Sequence, residues 1–144
     1  MDIKQKVLRK FNRVLISSSN TGEPKSLNSI LVKSVIEKVD VTLSLDDILI
    51  ISFVDQNHWM LMTLDTVFWC NNQNVQSIGV DDLKRAKLDL LINKKLGFDS
   101  KVGFNILSLI MKTNDVVNIK IEGGSPLEAT IALINKLISV REQK

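Results

Sequence analysis

The fold is decided by three consecutive segments in the middle of the chain, Ile48-Leu-Ile-Ile-Ser-Phe-Val54, Asp55-Gln-Asn57 and His58-Trp-Met-Leu-Met-Thr-Leu64. The first and third segments are rich in β-branched and aromatic residues, which favour β-strands. The segment between them consists of polar residues that favour a turn. The stretch therefore predicts an antiparallel hairpin.

The same pattern continues toward the carboxyl end. Asp65-Thr66 and Asn71-Asn-Gln-Asn74 supply the next two turns, because such side chains bond their own backbone in preference to a strand ladder. The residues between and after these turns, Val67–Cys70 and Val75–Val80, are therefore predicted as the third and fourth strands. A short turn or half-turn of helix is expected at Asp81-Asp82-Leu83.

Three more strands are predicted from the alternation of apolar and polar residues with a period of two. The fifth covers Ala86 to Ile92, the sixth Phe104 to Met111, and the seventh Val117 to Ile121. The sixth is apolar on much of both faces and is expected to be central or covered. Seven consecutive strands with short connections predict an antiparallel sheet architecture.

One amphipathic helix is predicted to follow the strands. Ser125 is expected to cap it, Pro126 suits the first helical position, and Glu128 completes a capping box. The apolar residues recur at helical spacing, so this helix must cover an apolar surface. They are Leu127, Ile131, Ile134, Leu137 and Ile138.

The amino-terminal region, residues 1–41, is predicted to form a two-helix arm packed on the strand-rich region 42–144, with no second core. One apolar face consists of Ile3, Val7, Phe11 and Leu15. The other consists of Leu27, Ile30, Leu31, Val35 and Val39. The composition of residues 17–24 between them predicts a loop. At 144 residues and 44% hydrophobic content, the chain is long enough for one globular unit.

Seven strands followed by one helix resemble a pleckstrin-homology-like domain, and the resemblance is carried by Asp46–Ser52, Met60–Trp69 and Ile78–Leu83. The likeness covers about residues 42–144 and is one of layout. It implies an α+β fold in which a seven-stranded antiparallel half-open barrel is closed by the carboxyl-terminal helix. Many members of that family hold lipid headgroups with Lys and Arg in the loop between their first two strands. Here that loop, Asp55–His58, contains neither residue.

No catalytic, metal or cofactor motif is visible in the sequence. The single histidine, His58, lies beside a turn, and no second histidine or cysteine is close enough in sequence to suggest a zinc site. Cys70 stands beside Trp69 in a strand pattern, which is typical of a buried structural thiol. The adjacent aspartates Asp46-Asp47 and Asp81-Asp82 are turn formers more often than acid–base pairs. We therefore expect a protein that is not an enzyme and needs no cofactor.

The formal charge is +3, and the cationic residues fall in two clusters. The first is Lys4, Lys6, Arg9, Lys10 and Arg13; the second is Lys84, Arg85, Lys87, Lys94, Lys95 and Lys101. Such clusters attract phosphates or acidic proteins, but they also solvate helices and blunt strand edges. Nucleic acid is a minority interpretation, because exposed aromatics do not accompany the cations. Contact with a membrane is expected to be peripheral at most.

Binding of another protein is the leading functional hypothesis. The size and the Ile-, Asn- and Lys-rich composition are similar to those of immunity proteins of bacterial contact-dependent inhibition systems, which neutralise a cognate toxin by covering it. The acidic residues Asp46, Asp47, Asp81 and Asp82 could face a basic toxin, although the chain is net basic. The alternative is an adaptor that binds anionic lipid headgroups or nucleic acid. Without a secretory signal or apolar span, and with one cysteine, a cytoplasmic protein is expected.

Overall fold

The computed structural model of the protein describes residues 2–39, 42–94 and 105–143. Across these residues it is a mixed α+β fold with four helices and eight strands. The helices are α1 (Ile3–Val14), α2 (Ser29–Lys38), the single turn α3 (Leu90–Ile92) and α4 (Ser125–Glu142). The strands are β1 (Thr21–Gly22), β2 (Ile48–Asp55), β3 (His58–Thr63), β4 (Thr66–Asn71), β5 (Asn74–Gly79), β6 (Leu83–Lys87), β7 (Ile106–Met111) and β8 (Val116–Lys120).

The strands form two antiparallel sheets. The large sheet has the order β1-β2-β3-β4-β5, and the small sheet has the order β6-β7-β8. The predicted hairpin is confirmed, with Asp55 opposite His58 at its turn. At the β4–β5 turn, Asn72 and Gln73 both have positive φ, 52° and 75°, which is the conformation that a two-residue type I′ turn requires. Local turn chemistry therefore sets the β2–β5 meander.

Both faces of the large sheet are buried at its centre, while β5 at its edge is mostly exposed. Along β3, Met60 and Met62 belong to one hydrophobic cluster, and Trp59 and Leu61 belong to another on the opposite face. This two-sided burial explains why the strand segments are almost continuously apolar. We call the first cluster, which also contains residues of the small sheet, α1 and α4, the main core. The second lies beneath α2, and we call it the α2 core.

The main core joins the two sheets to the helices α1 and α4. Strand β8 contacts β3 and β4, and α4 packs on β6 and β7. Val7 and Phe11 of α1 are fully buried in this core, as their helical spacing predicted. Among the described residues the sheets remain separate and do not close a barrel, so the predicted seven-stranded half-open barrel is not confirmed.

The α2 core forms where α2 packs on the face of the large sheet that points away from the main core. Val35 and Val39 face this cluster as predicted, but the predicted face was wrong at Ile30, whose side chain is 77% exposed. Val32 is buried in its place. Asn28 sets this register by accepting bonds from the first-turn amides of α2, which starts the helix at Ser29.

The predicted loop of residues 17–24 was also wrong in part, because it contains β1, which pairs with β2 as the edge of the large sheet. A polar cluster holds this segment in place. Oγ of Ser18 and Oγ1 of Thr21 donate to Oε1 of Glu122 over 2.5 and 2.6 Å. Thr21 also contacts the buried hydroxyl of Ser52 at 2.9 Å. The cluster ties the amino-terminal segment to the ends of β2 and β8.

Helix α4 confirms the predicted apolar stripe, although Ile131 is only partly buried and Leu133 lies inside. Its predicted cap was wrong. Gly124, with φ of 81°, occupies the cap position and supplies no side chain. The hydroxyl of Ser125 instead accepts a hydrogen bond from the backbone N–H of Ile16 over 3.1 Å, which joins the start of α4 to the end of α1.

The fifth predicted strand, from Ala86 to Ile92, corresponds to β6, which begins earlier in the chain and ends at Lys87. The residues after β6 form the turn α3, because the carboxylate of Asp89 caps that turn by accepting from the N–H of Ile92 over 3.0 Å. Buried Asn93 then bonds both N–H and C=O of Ile106 and so docks this turn on β7. Phe104, the predicted start of the sixth strand, lies outside the described residues.

Strand β6 is an edge of the small sheet, and a side chain of α4 covers that edge. Oδ1 of Asn135 accepts from the N–H of Ala86 over 2.8 Å, and Nδ2 of Asn135 donates to the C=O of Ala86 over 2.9 Å. The amide group thus makes the two bonds that a neighbouring strand would make.

Candidate functional site

An apolar groove of about 820 Å³ opens between α2, the turn Pro24–Ser26 and the turn Leu45–Asp47. Its apolar lining consists of Leu27, Val32, Ile36, Leu45 and Ile48. Most of these side chains belong to the rim of the α2 core, so the groove is a continuation of packed structure. We refer to this surface as the apolar groove.

Leu45 is the most exposed apolar side chain of this lining, at 59%. Its position is fixed by the turn that carries it, in which Asp47 accepts hydrogen bonds from both the N–H and the Oγ of Ser44 at 3.0 Å. The bonds from the Ser44 N–H and hydroxyl hold the pKa of Asp47 below its ordinary value. A large apolar side chain is therefore held toward water on a rigid turn.

The rim of the apolar groove carries charges of both signs in equal number. The acids are Glu23, Glu37 and Asp46, and the bases are Lys4, Lys25 and Lys33. Nζ of Lys4 donates to the backbone C=O of Asp46 over 2.7 Å. The groove thus has an apolar centre and a mixed, nearly neutral rim.

A second concave surface, the basic groove, lies between α1 and α4 and has a volume of about 480 Å³. The two helices run antiparallel, since Ile16 at the end of α1 meets Ser125 at the start of α4, while Lys6 meets Val140 and Gln143 near the opposite ends. The groove is lined by Lys6, Arg9, Lys10 and Arg13 of α1 with Lys136, Val140 and Gln143 of α4.

The basic groove corrects the composition of the first cationic cluster. Lys4 lies apart from it, because its ammonium group is bonded at the turn that carries Asp46. Lys136, which is distant in sequence, joins it. Within the described part of the chain, none of the five groove cations lies within ion-pair distance of a carboxylate. All five side chains are exposed.

Asp65 and Arg141, which the sequence did not single out as site residues, connect the predicted acidic residues Asp46 and Asp47 with Asp81. Asp46, Asp47 and Asp65 line a cavity of about 430 Å³. Asp65 and Asp81 both accept from the guanidinium of Arg141, at 2.8 Å each. The hydrogen bonds that Arg141 donates to Asp81 and, less strongly, to Asp65 raise its pKa.

The last member of the predicted acidic set, Asp82, has mainly a backbone role. Its C=O accepts from the N–H of Lys112 over 2.9 Å, which joins the β5–β6 turn to the end of β7. The shared Arg141 likewise pins the end of α4 to two turns. The acidic residues therefore serve largely to hold the fold together at this end.

The described members of the second predicted cationic cluster line neither groove, nor the cavity at Asp46, Asp47 and Asp65. Lys84 and Arg85 are exposed on β6, and Nζ of Lys87 lies 3.6 Å from the carboxylate of Asp89. Lys94 is exposed near the end of the described segment 42–94, and Lys95 and Lys101 lie outside the described residues. These side chains provide a chemically matched comparison for the basic groove.

The remaining reactive side chains have structural surroundings. Nδ1 of His58 lies 3.0 Å from Oδ1 of Asp55 at the β2–β3 turn, and Cys70 is buried in the α2 core. Burial raises the pKa of Asp55, but the N–H of Asn57 and the ring of His58 outweigh it and lower the pKa below its ordinary value. In residues 2–39, 42–94 and 105–143, no group of three His, Cys, Asp or Glu side chains could hold a metal ion.

A search of the described helices for a membrane-spanning segment was negative, since none combines sufficient length with sufficient apolar character. Comparison with family models, with curated proteins and with solved structures found no match to this chain.

The apolar groove was missed from the sequence because its lining comes from three separate segments. Its only local signal is Leu45, an apolar residue between the turn-forming Ser44 and Asp46. The contribution of Lys136 was missed for a related reason, since only the antiparallel packing of α1 and α4 places it among the cations of α1.

Proposed function

We propose that this protein is a non-catalytic protein-binding module that receives an amphipathic helix of a partner protein in the apolar groove. The observation that carries the proposal is the combination of an apolar centre, including the protruding Leu45, with a rim of three acids and three bases. Specific protein interfaces have this arrangement, in which a few buried anchors are surrounded by a polar rim.

The occupant is inferred from the shape and charge of the groove. An amphipathic helix would insert apolar side chains between Leu27, Ile36 and Leu45, as in other helix-in-groove complexes. Its flanking charges would pair with the acids and bases of the rim. A lipid surface or a nucleic acid presents phosphates of one sign, and these would meet as many repelling acids as attracting bases.

The fold and the partner can be proposed in finer detail. The order of a β2–β5 meander, a three-stranded β6–β8 sheet and a packed carboxyl-terminal helix supports assignment to the pleckstrin-homology-like half-open barrels.

The size and composition of the chain support a toxin as the partner, so that the protein acts as an immunity protein. Under this proposal, occupation of the toxin's surface neutralises it without any chemistry.

The test is co-purification from native cells with wild-type protein and the variant Leu45→Asp. The salt concentration, about 300 mM, is high enough to suppress purely electrostatic contacts. One stoichiometric protein partner is expected with wild type. A charged side chain at the centre of an apolar contact should weaken that complex by at least about tenfold.

The matched control is Leu90→Asp, which changes the same residue type at a similar exposure, 54%, on α3. It should retain the partner. Photo-crosslinking from a residue introduced at position 45 should then reach a helical segment of that partner. Equal retention by Leu45→Asp and wild type would exclude the apolar groove as the interface.

A further inference from the structure

The basic groove concentrates like charges on one rigid surface. Lys6 with Lys10 and Arg9 with Arg13 are pairs spaced four residues apart on α1, an arrangement that destabilises a helix when the charges have the same sign. Within α1 and its cap the sole acid is Asp2, at the cap itself. The helix thus carries a repulsion that neither its own residues nor α4 relieves within ion-pair distance.

The two helices that carry these cations are held in place, so their backbones cannot separate to reduce this repulsion. Val7 and Phe11 fix the opposite face of α1 in the main core. The bond from the N–H of Ile16 to Ser125 and the contacts of Arg141 with Asp65 and Asp81 fix α4 at both ends. The five positive charges therefore face a cavity whose walls are held in place.

The chemistry of the lining selects among anionic ligands. Arg guanidinium groups bind phosphate oxygens with two parallel hydrogen bonds, and Lys adds a point charge. The cavity, about 480 Å³, falls within the range of small-ligand sites. Val140 is the one apolar residue among the described residues of the lining, so the basic groove lacks the apolar centre of a protein interface.

We propose that the basic groove is a binding site for a compact, multiply charged phosphate group, presented either by a soluble oligophosphate or by a phosphomonoester headgroup at a membrane surface. The site lies on α1 and α4, away from the apolar groove on α2, and does not depend on the function proposed for that groove. Phosphate binding relieves the repulsion among Lys6, Arg9, Lys10, Arg13 and Lys136.

The test is calorimetric titration of the full chain with inorganic tripolyphosphate, alongside co-sedimentation with vesicles of phosphatidylcholine and phosphatidic acid. The variant Arg9→Gln with Arg13→Gln should lose affinity by about tenfold for each Arg removed. The control, Lys84→Gln with Arg85→Gln, removes the same charge from β6 and should bind as wild type does. Leu45→Asp should also bind normally.

The two probes distinguish the sources of the phosphate. If tripolyphosphate binds and only the Arg9/Arg13 variant loses this binding, the ligand is a soluble oligophosphate. If the protein binds vesicles and not tripolyphosphate, and only the Arg9/Arg13 variant loses vesicle binding, the ligand is the headgroup. Equal losses in the two double variants would show an effect of net charge and overturn the proposal. So would binding of a DNA duplex without either probe, or an absence of binding in a wild-type protein with a cooperative melt.

Discussion

The α2 face and the α1–α4 face of the molecule lie on opposite sides of the large sheet, the first directly on it and the second beyond the main core. On the α2 face, apolar side chains continue from the α2 core to an open groove whose charges balance. On the α1–α4 face, the apolar side chains are buried in the main core, and the outer surface carries five cations that form no ion pair with the described carboxylates. The large sheet thus lies between two surfaces of different chemistry, one apolar with balanced charges and one cationic.

The largest expected effect is loss of the fold when α4 is removed. A chain that ends before Gly124 lacks Leu127, Leu133, Ile134 and Leu137, all buried in the main core. One buried Leu or Ile alone is worth about 2–5 kcal/mol, against a total stability of about 5–15 kcal/mol. Thermal melting followed by circular dichroism should show no cooperative transition for the shortened chain. A cooperative melt would show that the α2 core sustains the fold without the main core.

A pair of neighbouring substitutions compares the two cores directly. Ile50 faces the main core and Ile51 faces the α2 core, and both are 0% exposed. Ile50→Ala and Ile51→Ala should each lower the free energy of unfolding by about 2–5 kcal/mol, measured by urea denaturation. A cost for Ile51→Ala several-fold below that for Ile50→Ala would mean that α2 packs more loosely than α1 and α4.

The next largest effects concern binding, and each variant should lose only the ligand of the face that it changes. Leu45→Asp should weaken the protein complex by at least about tenfold and leave tripolyphosphate binding unchanged. Arg9→Gln with Arg13→Gln should weaken tripolyphosphate binding and leave the protein complex intact at about 300 mM salt. Titration of each variant with each ligand measures both effects. Loss of both activities in either variant would mean that the two surfaces act as one site.

The smallest effect expected is a change in the acid dependence of stability at the turn that carries Leu45. Hydrogen bonds from Ser44 depress the pKa of Asp47 in the folded protein relative to about 3.9 in an unfolded chain. The contribution of Asp47 is therefore complete above the unfolded pKa and is lost as the pH falls through the folded one. Asp47→Asn should be less stable than wild type at neutral pH, and the difference should shrink in acid. The midpoints of urea denaturation of the two proteins, compared from neutral to acid pH, measure this difference.

The strand meander was predictable because its signals are local. Turn-forming residues such as Asn71–Asn74 separate apolar runs of strand length, and each boundary needs only its neighbours in sequence. The carboxyl-terminal helix and the inward face of α1 followed from helical spacing for the same reason. Where local periodicity and local turns agree, sequence alone gives the element and its buried face.

The errors arose where a distant partner decides the local structure. Thr21 is a strand residue only because Ser52 offers it a pairing edge, and Ser125 lacks a capping role because its hydroxyl bonds Ile16. The alternation after Lys87 favoured a longer strand, but Asp89 caps a helical turn there. The apolar groove did not emerge from the sequence for the same reason, since its lining comes from segments far apart in the chain. Four cations of the basic groove were already grouped by their positions on α1, and only Lys136 of α4 was missed.

The bonds between Asn135 and Ala86 have a consequence for synthesis of the protein. The residue that covers the edge of β6 lies 49 positions after Ala86, so β6 is synthesised well before its edge can be covered. An open edge is a template for pairing with another nascent chain. We expect Asn135→Leu to reduce the soluble yield during rapid expression and to leave the purified protein folded. An unchanged yield would show that the edge is protected by other means while translation proceeds.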